Sequence, residues 1–163
     1  MKLGRVMWMG MLALCLTPVV VAEPLQAVSG EVSGAVQKVG FRAFVFREAI
    51  RYNLGGVIEN LPDGRVHFVL QGEGARLDAA LAALRRGPPK SRVSALCVEP
   101  VPVDEGINQV LVKGWTSQTR AFNTPVDLVY PLREDAGVLD AQDAARIYQH
   151  IIASAMAGAR TAD

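Results

Sequence analysis

Two amphipathic helical stripes, each flanked by short strand-like runs, restrict this chain more than any other feature. Phe41, Val45, Ala49 and Tyr52 recur at spacings of four, four and three, with Phe44 and Ile50 widening the stripe. That period belongs to a helix with one buried face. Asn53 through Gly56 supplies stop residues for it. Leu77, Ala80, Leu81 and Leu84 make the inner face of a second helix, from about Arg76 to Arg86. Arg85 and Arg86 suit its C-terminal dipole, and Gly87-Pro88-Pro89 stops it. Between the helices, Val57-Ile58-Glu59 reads as a brief strand and Leu61-Pro62-Asp63-Gly64 as a turn carrying the Asp-Gly hairpin signal. Arg65 to Gln71 is the return strand, in which Val66, Phe68 and Leu70 alternate with other residues. Strand candidates also run from Gln26 to Val32 and from Arg92 to about Glu99.

The resulting order, β-α-β-β-α-β, predicts an α+β fold of the split βαβ or ferredoxin-like type. In it an antiparallel sheet carries two helices on one face. The other face must then be covered or polar. A linker bracketed by Pro100 and Pro102 leads to a further strand at Gln109 to Trp115. Val126 to Tyr130, between Pro125 and Pro131, suits an edge strand or a loop, because proline cannot donate to a ladder. Ala144, Ile147, Tyr148, Ile151, Ile152 and Ala155 line one side of a third helix, expected at about 140–157 with Asp140 as its cap. The expected organisation is a domain at 26–117 and a C-terminal extension at 118–163, whose helix is read as a cover for the domain.

With 163 residues, half of them hydrophobic, the chain can bury one substantial core. Its 17 Lys and Arg balance 16 Asp and Glu, which argues against a nucleic-acid binder or a membrane-surface binder but permits a local anion site. Lys2 and Arg5, the apolar run from Val6 to about Leu16, the break at Pro18 and the small Ala22 before Glu23 have the layout of a secretory signal peptide. The run is short for a spanning helix, which needs about 20 apolar residues. The expectation is an exported, periplasmic protein with no stable membrane insertion once residues 1–22 are removed. Cleavage there removes Cys15 and leaves Cys97 without a partner for a disulfide. Cys97 sits in a strand-like run and is expected to be a small buried hydrophobe.

The chemistry concentrates ahead of the first helix, in Gly34-Ala35-Val36-Gln37-Lys38-Val39-Gly40-Phe41-Arg42. A glycine-bearing loop entering a helix presents several backbone N–H groups to one ligand, and the helix dipole adds partial positive charge. Arg42 adds a cationic fork that matches phosphate oxygens. Asn60, in Asn60-Leu61-Pro62-Asp63-Gly64, supplies an amide that can both donate and accept, enough to hold a water molecule. These parts point to hydrolysis of a phosphorylated small molecule with no metal and no cofactor. Neither His67 nor His150 lies in the motifs.

These segments resemble acylphosphatases. The family's loop, Gly-x-Val-Gln-Gly-Val-Gly-Phe-Arg, is matched by Gly34 to Arg42. Its second block, Gly-x-Val-x-Asn-x-x-Asp-Gly, is matched across Gly55 to Gly64, with Asn60 in place. Gln71-Gly72 and Arg86-Gly87-Pro88-Pro89 are further landmarks, so the resemblance covers about residues 26–117. It implies a ferredoxin-like sandwich and cleavage of a carboxylic-phosphoric anhydride, with a small acyl phosphate as partner. By position, Arg42 and the amides of Val36, Gln37, Lys38, Val39, Gly40 and Phe41 would hold the phosphoryl group, and Asn60 would orient the attacking water. Lys38 departs from the pattern, because the family has glycine there. If that position needs a positive φ, lysine costs about 1 kcal/mol or more. A second expectation, from that departure and from the exported destination, is a non-catalytic module that kept the scaffold and binds an anion or an unidentified protein partner.

Overall fold

The computed structural model describes residues 23–116, 124–134 and 137–160, with the backbone alone for 159 and 160. The segment expected to be a signal peptide, residues 1–22, lies outside the described residues. In chain order the elements are β1 (Leu25–Ala35), α1 (Phe41–Tyr52), β2 (Gly55–Asn60), β3 (Val66–Glu73), α2 (Gly74–Arg86), β4 (Arg92–Val101), β5 (Gln109–Trp115), β6 (Val126–Pro131) and α3 (Ala141–Arg160).

They build one six-stranded sheet in the order β4-β1-β3-β2-β5-β6. β1 pairs antiparallel with both β3 and β4, and β2 pairs antiparallel with β3. These four strands and two helices are the ferredoxin-like unit that the sequence predicts. The sheet as a whole is mixed rather than antiparallel, because β5 joins the free edge of β2 in parallel register, with Gly56, Val57 and Ile58 opposite Val110, Leu111 and Val112. A crossover from β4 makes this possible. Gln71 holds it at the end of β3: its Nε2 donates to the Asp104 carbonyl at 2.9 Å, and its Oε1 accepts from the Asp104 N–H at 2.8 Å. β6 then pairs antiparallel with β5 and forms the edge that its flanking prolines require.

The core lies between one sheet face and the helices. Val32, Ile58, Phe68, Leu70, Val110 and Val112 from the sheet are fully buried, as are Val45, Phe46, Ala49 and Ile50 of α1 and Leu84 of α2. Each large apolar side chain sealed in this way contributes about 1.5–3 kcal/mol to the hydrophobic driving force. α3 lies on α1 through its own buried Ala144 and Tyr148. The Tyr148 ring meets the edge of Phe46, with centroids 6.2 Å apart.

The opposite face of the sheet carries a polar row beside an apolar strip of Val57, Val69 and Leu111 that is flanked by Gly106 and Ile107 of the crossover. Ser29 Oγ lies 3.1 Å from His67 Nε2, His67 Nδ1 lies 3.3 Å from Glu59 Oε1, and Lys113 Nζ donates to Glu59 Oε2 at 3.3 Å. Cys97 corrects an expectation: it is exposed, not buried. Its strand is the outermost on that side of the sheet, and its register partner is the solvent-facing Glu31, so the pleat turns the thiol to the uncovered face.

One buried group opposes the fold. Glu48 on α1 is 9% exposed, and its Oε2 lacks a hydrogen-bond partner, with Arg51 Nη1 3.7 Å away. Burial pushes its carboxyl above the ordinary carboxylate range, against the pull of Arg51, Arg47 and Arg86. A carboxyl that holds its proton more tightly when folded weakens the fold once pH rises past the ordinary carboxylate value. Glu48→Gln is therefore expected to stabilise the protein at neutral pH. The gain should vanish in acid, where Glu48 is protonated in folded and unfolded chains alike. Urea titrations at about pH 7 and about pH 3 check this.

Candidate active site

The loop between β1 and α1 is shaped by its backbone. Gly34 has a φ of 118° and lies so close to the Arg92 carbonyl and Ser94 that no side chain fits, at the point where the pairing of β1 with β4 shifts register. The chain then turns so that Lys38 sits at φ 59° and Gly40, the helix N-cap, at φ 80°. Lys38 thus occupies the left-handed conformation that suits the family's glycine at this point. Lys38→Gly is expected to raise stability by about 1 kcal/mol, a Tm increase of about 2–4 °C for a chain of this size. It should also raise KM a few-fold, because it removes a cation from the loop expected to hold the anion. Thermal melts and steady-state kinetics on the same variant measure both.

The loop leaves a run of backbone donors free. The Val36 N–H bonds back to the Gly34 carbonyl at 3.0 Å, and the next backbone N–H bonded within the fold is that of Phe44, to the Gly40 carbonyl at 3.0 Å. Residues 37 to 40 form a turn, and none of the N–H groups of residues 37 to 43 makes a close, well-aligned hydrogen bond to a described residue. Val36 therefore lines the site with its donor already committed, and the available donors begin at Gln37. Among the described residues no side chain caps α1, and no acidic residue occupies its first turn, which leaves the positive end of the helix towards the loop.

Arg42 leaves this first turn and is anchored by β5. Its Nη1 donates to the Lys113 carbonyl at 2.6 Å and to the Gly114 carbonyl at 2.9 Å. A guanidinium has five N–H donors. The Nε and Nη2 donors of Arg42 have no acceptor among the described residues. Burial lowers its pKa, a shift that a nearby Tyr148 opposes, and a guanidinium remains protonated in such a setting.

Asn60 closes the other side. It ends β2 in register with Val66 and is exposed, and its carboxamide has no partner among the described residues. The hairpin that carries it is tied to the loop by Gln37, whose Nε2 donates to the carbonyls of Leu61 and Arg65, at 2.8 Å each. The same hairpin is tightened by the Leu61 N–H to the Arg65 carbonyl at 2.8 Å, and by Arg65, which pairs with Asp63 and Glu31. Gln37 thus contributes its N–H to the loop's donor run while its side chain faces the hairpin. Phe41 likewise offers only backbone, since its ring is 1% exposed in the core.

Residues 36 to 43 and Asn60 line one cavity of about 800 Å3. Its charged side chains among the described residues are Lys38, Arg42 and Arg47, all cationic. The structure adds further walls: Trp115 from β5, Tyr148 and Ile152 from the stripe read in the sequence as a cover for the domain, and Met156, which that stripe did not include. The available signal was the apolar stripe of α3 continuing to Met156, one turn past Ile152. Burial raises the Tyr148 pKa, against hydrogen bonding to Trp115 and the nearby charges of Arg47 and Arg42, so Tyr148 is a neutral wall at ordinary pH. Arg47 lies over its ring, 5.4 Å from the centroid.

The molecule is thus an α+β protein of the ferredoxin-like type, with loop amides, a helix N-terminus and an arginine gathered on one cavity. Residues 28–119 match the acylphosphatase family model. An acylphosphatase of Methanocella arvoryzae is 43% identical over 77 residues, which are 47% of this chain and 88% of the relative. One of Chlorobaculum tepidum is 47% identical over 73 residues, 45% of this chain and 79% of the relative. Among solved structures, the acylphosphatase from Bacillus subtilis is 35% identical with a TM-score of 0.49, covering 50% of this chain and 91% of that one. The chain belongs to the acylphosphatase family and is a hydrolase of that type, acting on acyl phosphates. Membership favours the enzyme over the non-catalytic module. The matched segment ends at residue 119, so β6 and α3 lie beyond it.

Proposed function

We propose that the chain hydrolyses small acyl phosphates without a metal, in a single displacement at phosphorus. The N–H groups of residues 37 to 43 and the free donors of Arg42 take the phosphoryl oxygens. The Asn60 carboxamide holds a water and aims its oxygen at phosphorus, in line with the departing carboxylate. The new P–O bond forms from that water as the bond between phosphorus and the acyl oxygen breaks. Inorganic phosphate and a carboxylate result, and the water's protons pass to phosphate and solvent. A carboxylate is a good leaving group, so this reaction asks chiefly for positioning and charge stabilisation. The charged side chains of the described lining, all cationic, favour the anionic substrate and disfavour a divalent cation.

The observation that carries this reading is the run of N–H groups beside Arg42 with no close acceptor among the described residues, on the cavity that Asn60 also lines. Purified protein is expected to hydrolyse benzoyl phosphate, with competitive inhibition by inorganic phosphate and no loss of rate in chelator. A wild-type rate no greater than that of Asn60→Ala would overturn it. We also propose that the protein is exported, on the layout of Lys2 through Ala22. Periplasmic material whose N-terminus is Glu23 is the expected result of Edman sequencing.

A further inference from the structure

We propose that α3 is the wall that receives the acyl group, and that the preferred substrates are acyl phosphates with an apolar acyl group, aromatic or aliphatic. This rests on the phosphoryl-binding reading above and adds the substrate class. The cavity falls in the range of sites that hold whole small molecules, well beyond a phosphoryl group alone. Its polar side is the loop, Arg42 and Asn60. From α3 the lining is Tyr148, Gln149, Ile152 and Met156, and of these Tyr148, Ile152 and Met156 follow one another at spacings of four and so form a single stripe along the helix.

The three wall residues differ in a way that points to a ligand. Tyr148 is 6% exposed and fixed between Phe46 and Arg47, so it seats the helix. Ile152 and Met156 are only half-buried against the core, and both line the cavity that Arg42 lines. Apolar surface left wet beside a bound anion is covered best by the apolar part of that same anion, and each methylene so buried favours binding. In an acyl phosphate the acyl group is joined to the phosphoryl group through a single oxygen. A phosphoryl group in the loop therefore leaves the acyl group within the same cavity. The wall lies outside the segment shared with the family model, so this selectivity belongs to the chain's own C-terminal part.

The test compares kcat/KM for acetyl, hexanoyl, benzoyl and succinyl phosphate, and the affinities of benzylphosphonate and methylphosphonate, which cannot be hydrolysed. Wild type is expected to prefer hexanoyl and benzoyl over acetyl phosphate by about tenfold or more, and to bind benzylphosphonate more tightly than methylphosphonate by a similar factor. Ile152→Ala with Met156→Ala should bring both preferences towards unity. His150→Ala, an exposed change on the same helix, should leave them intact. The wild-type phosphonate ratio stands even if the double variant fails to fold. Equal rates for all acyl phosphates with equal phosphonate affinities would overturn the wall and leave the catalytic reading in place. Selective benzylphosphonate binding without turnover of any acyl phosphate would support the wall and overturn the catalytic reading. A preference for succinyl phosphate, drawn by Arg47, would overturn the apolar assignment.

Discussion

Arg42→Ala is expected to lower kcat/KM for benzoyl phosphate by about 10³-fold, the scale seen when a positioned charge is removed from a phosphoryl-transfer or oxyanion site. The loss should fall on both KM and kcat, because in the proposed mechanism the guanidinium meets the phosphoryl oxygens in the ground state and meets more charge as the leaving group departs. Arg42→Lys should recover little. Nη1 is spent on the carbonyls of Lys113 and Gly114, and that anchoring sets the direction of the remaining donors. A lysine keeps the charge but has no second arm to point at the anion while the first is held. Steady-state kinetics on the three proteins, with circular dichroism to confirm folding, measures this. A fully active Arg42→Lys would show that charge alone is sufficient.

Asn60→Ala is expected to separate the two kinetic constants. Its carboxamide is exposed and unpartnered among the described residues, so its loss should leave stability within about 0.5 kcal/mol of wild type. Inorganic phosphate should inhibit the variant nearly as well as the wild type, since the loop amides and Arg42 remain. The kcat should fall by about 10²- to 10³-fold, because water is no longer held in line. A rise in the phosphate inhibition constant matching the fall in kcat would instead place Asn60 among the anion's ligands.

Much of the fold could be read from the chain because its strongest patterns are local. The Phe41 to Tyr52 stripe, the Asp63-Gly64 turn and the alternation of Val66, Phe68 and Leu70 each specify an element without help from distant residues. The motifs around Arg42 and Asn60 were legible for a related reason: backbone that must present N–H groups restricts its own residue types. The parallel seat of β5 beside β2 was not legible, because a crossover leaves no period in the sequence. The exposure of Cys97 was missed because an apolar-looking run does not reveal that its strand stands at the sheet edge. The faces of Ile152 and Met156 towards the cavity were hidden as well, since a stripe that packs on α1 and a stripe that lines a cavity show the same spacing.

Gln37 joins the loop to the hairpin through two carbonyls, and this has a mechanical consequence. The loop proposed to grip phosphate and the asparagine proposed to aim water belong to separate stretches of chain, and these two hydrogen bonds couple their movements. Heating or denaturant that loosens the turn at Pro62 should disturb anion grip and water aim together, so activity should be lost in one step, ahead of global melting.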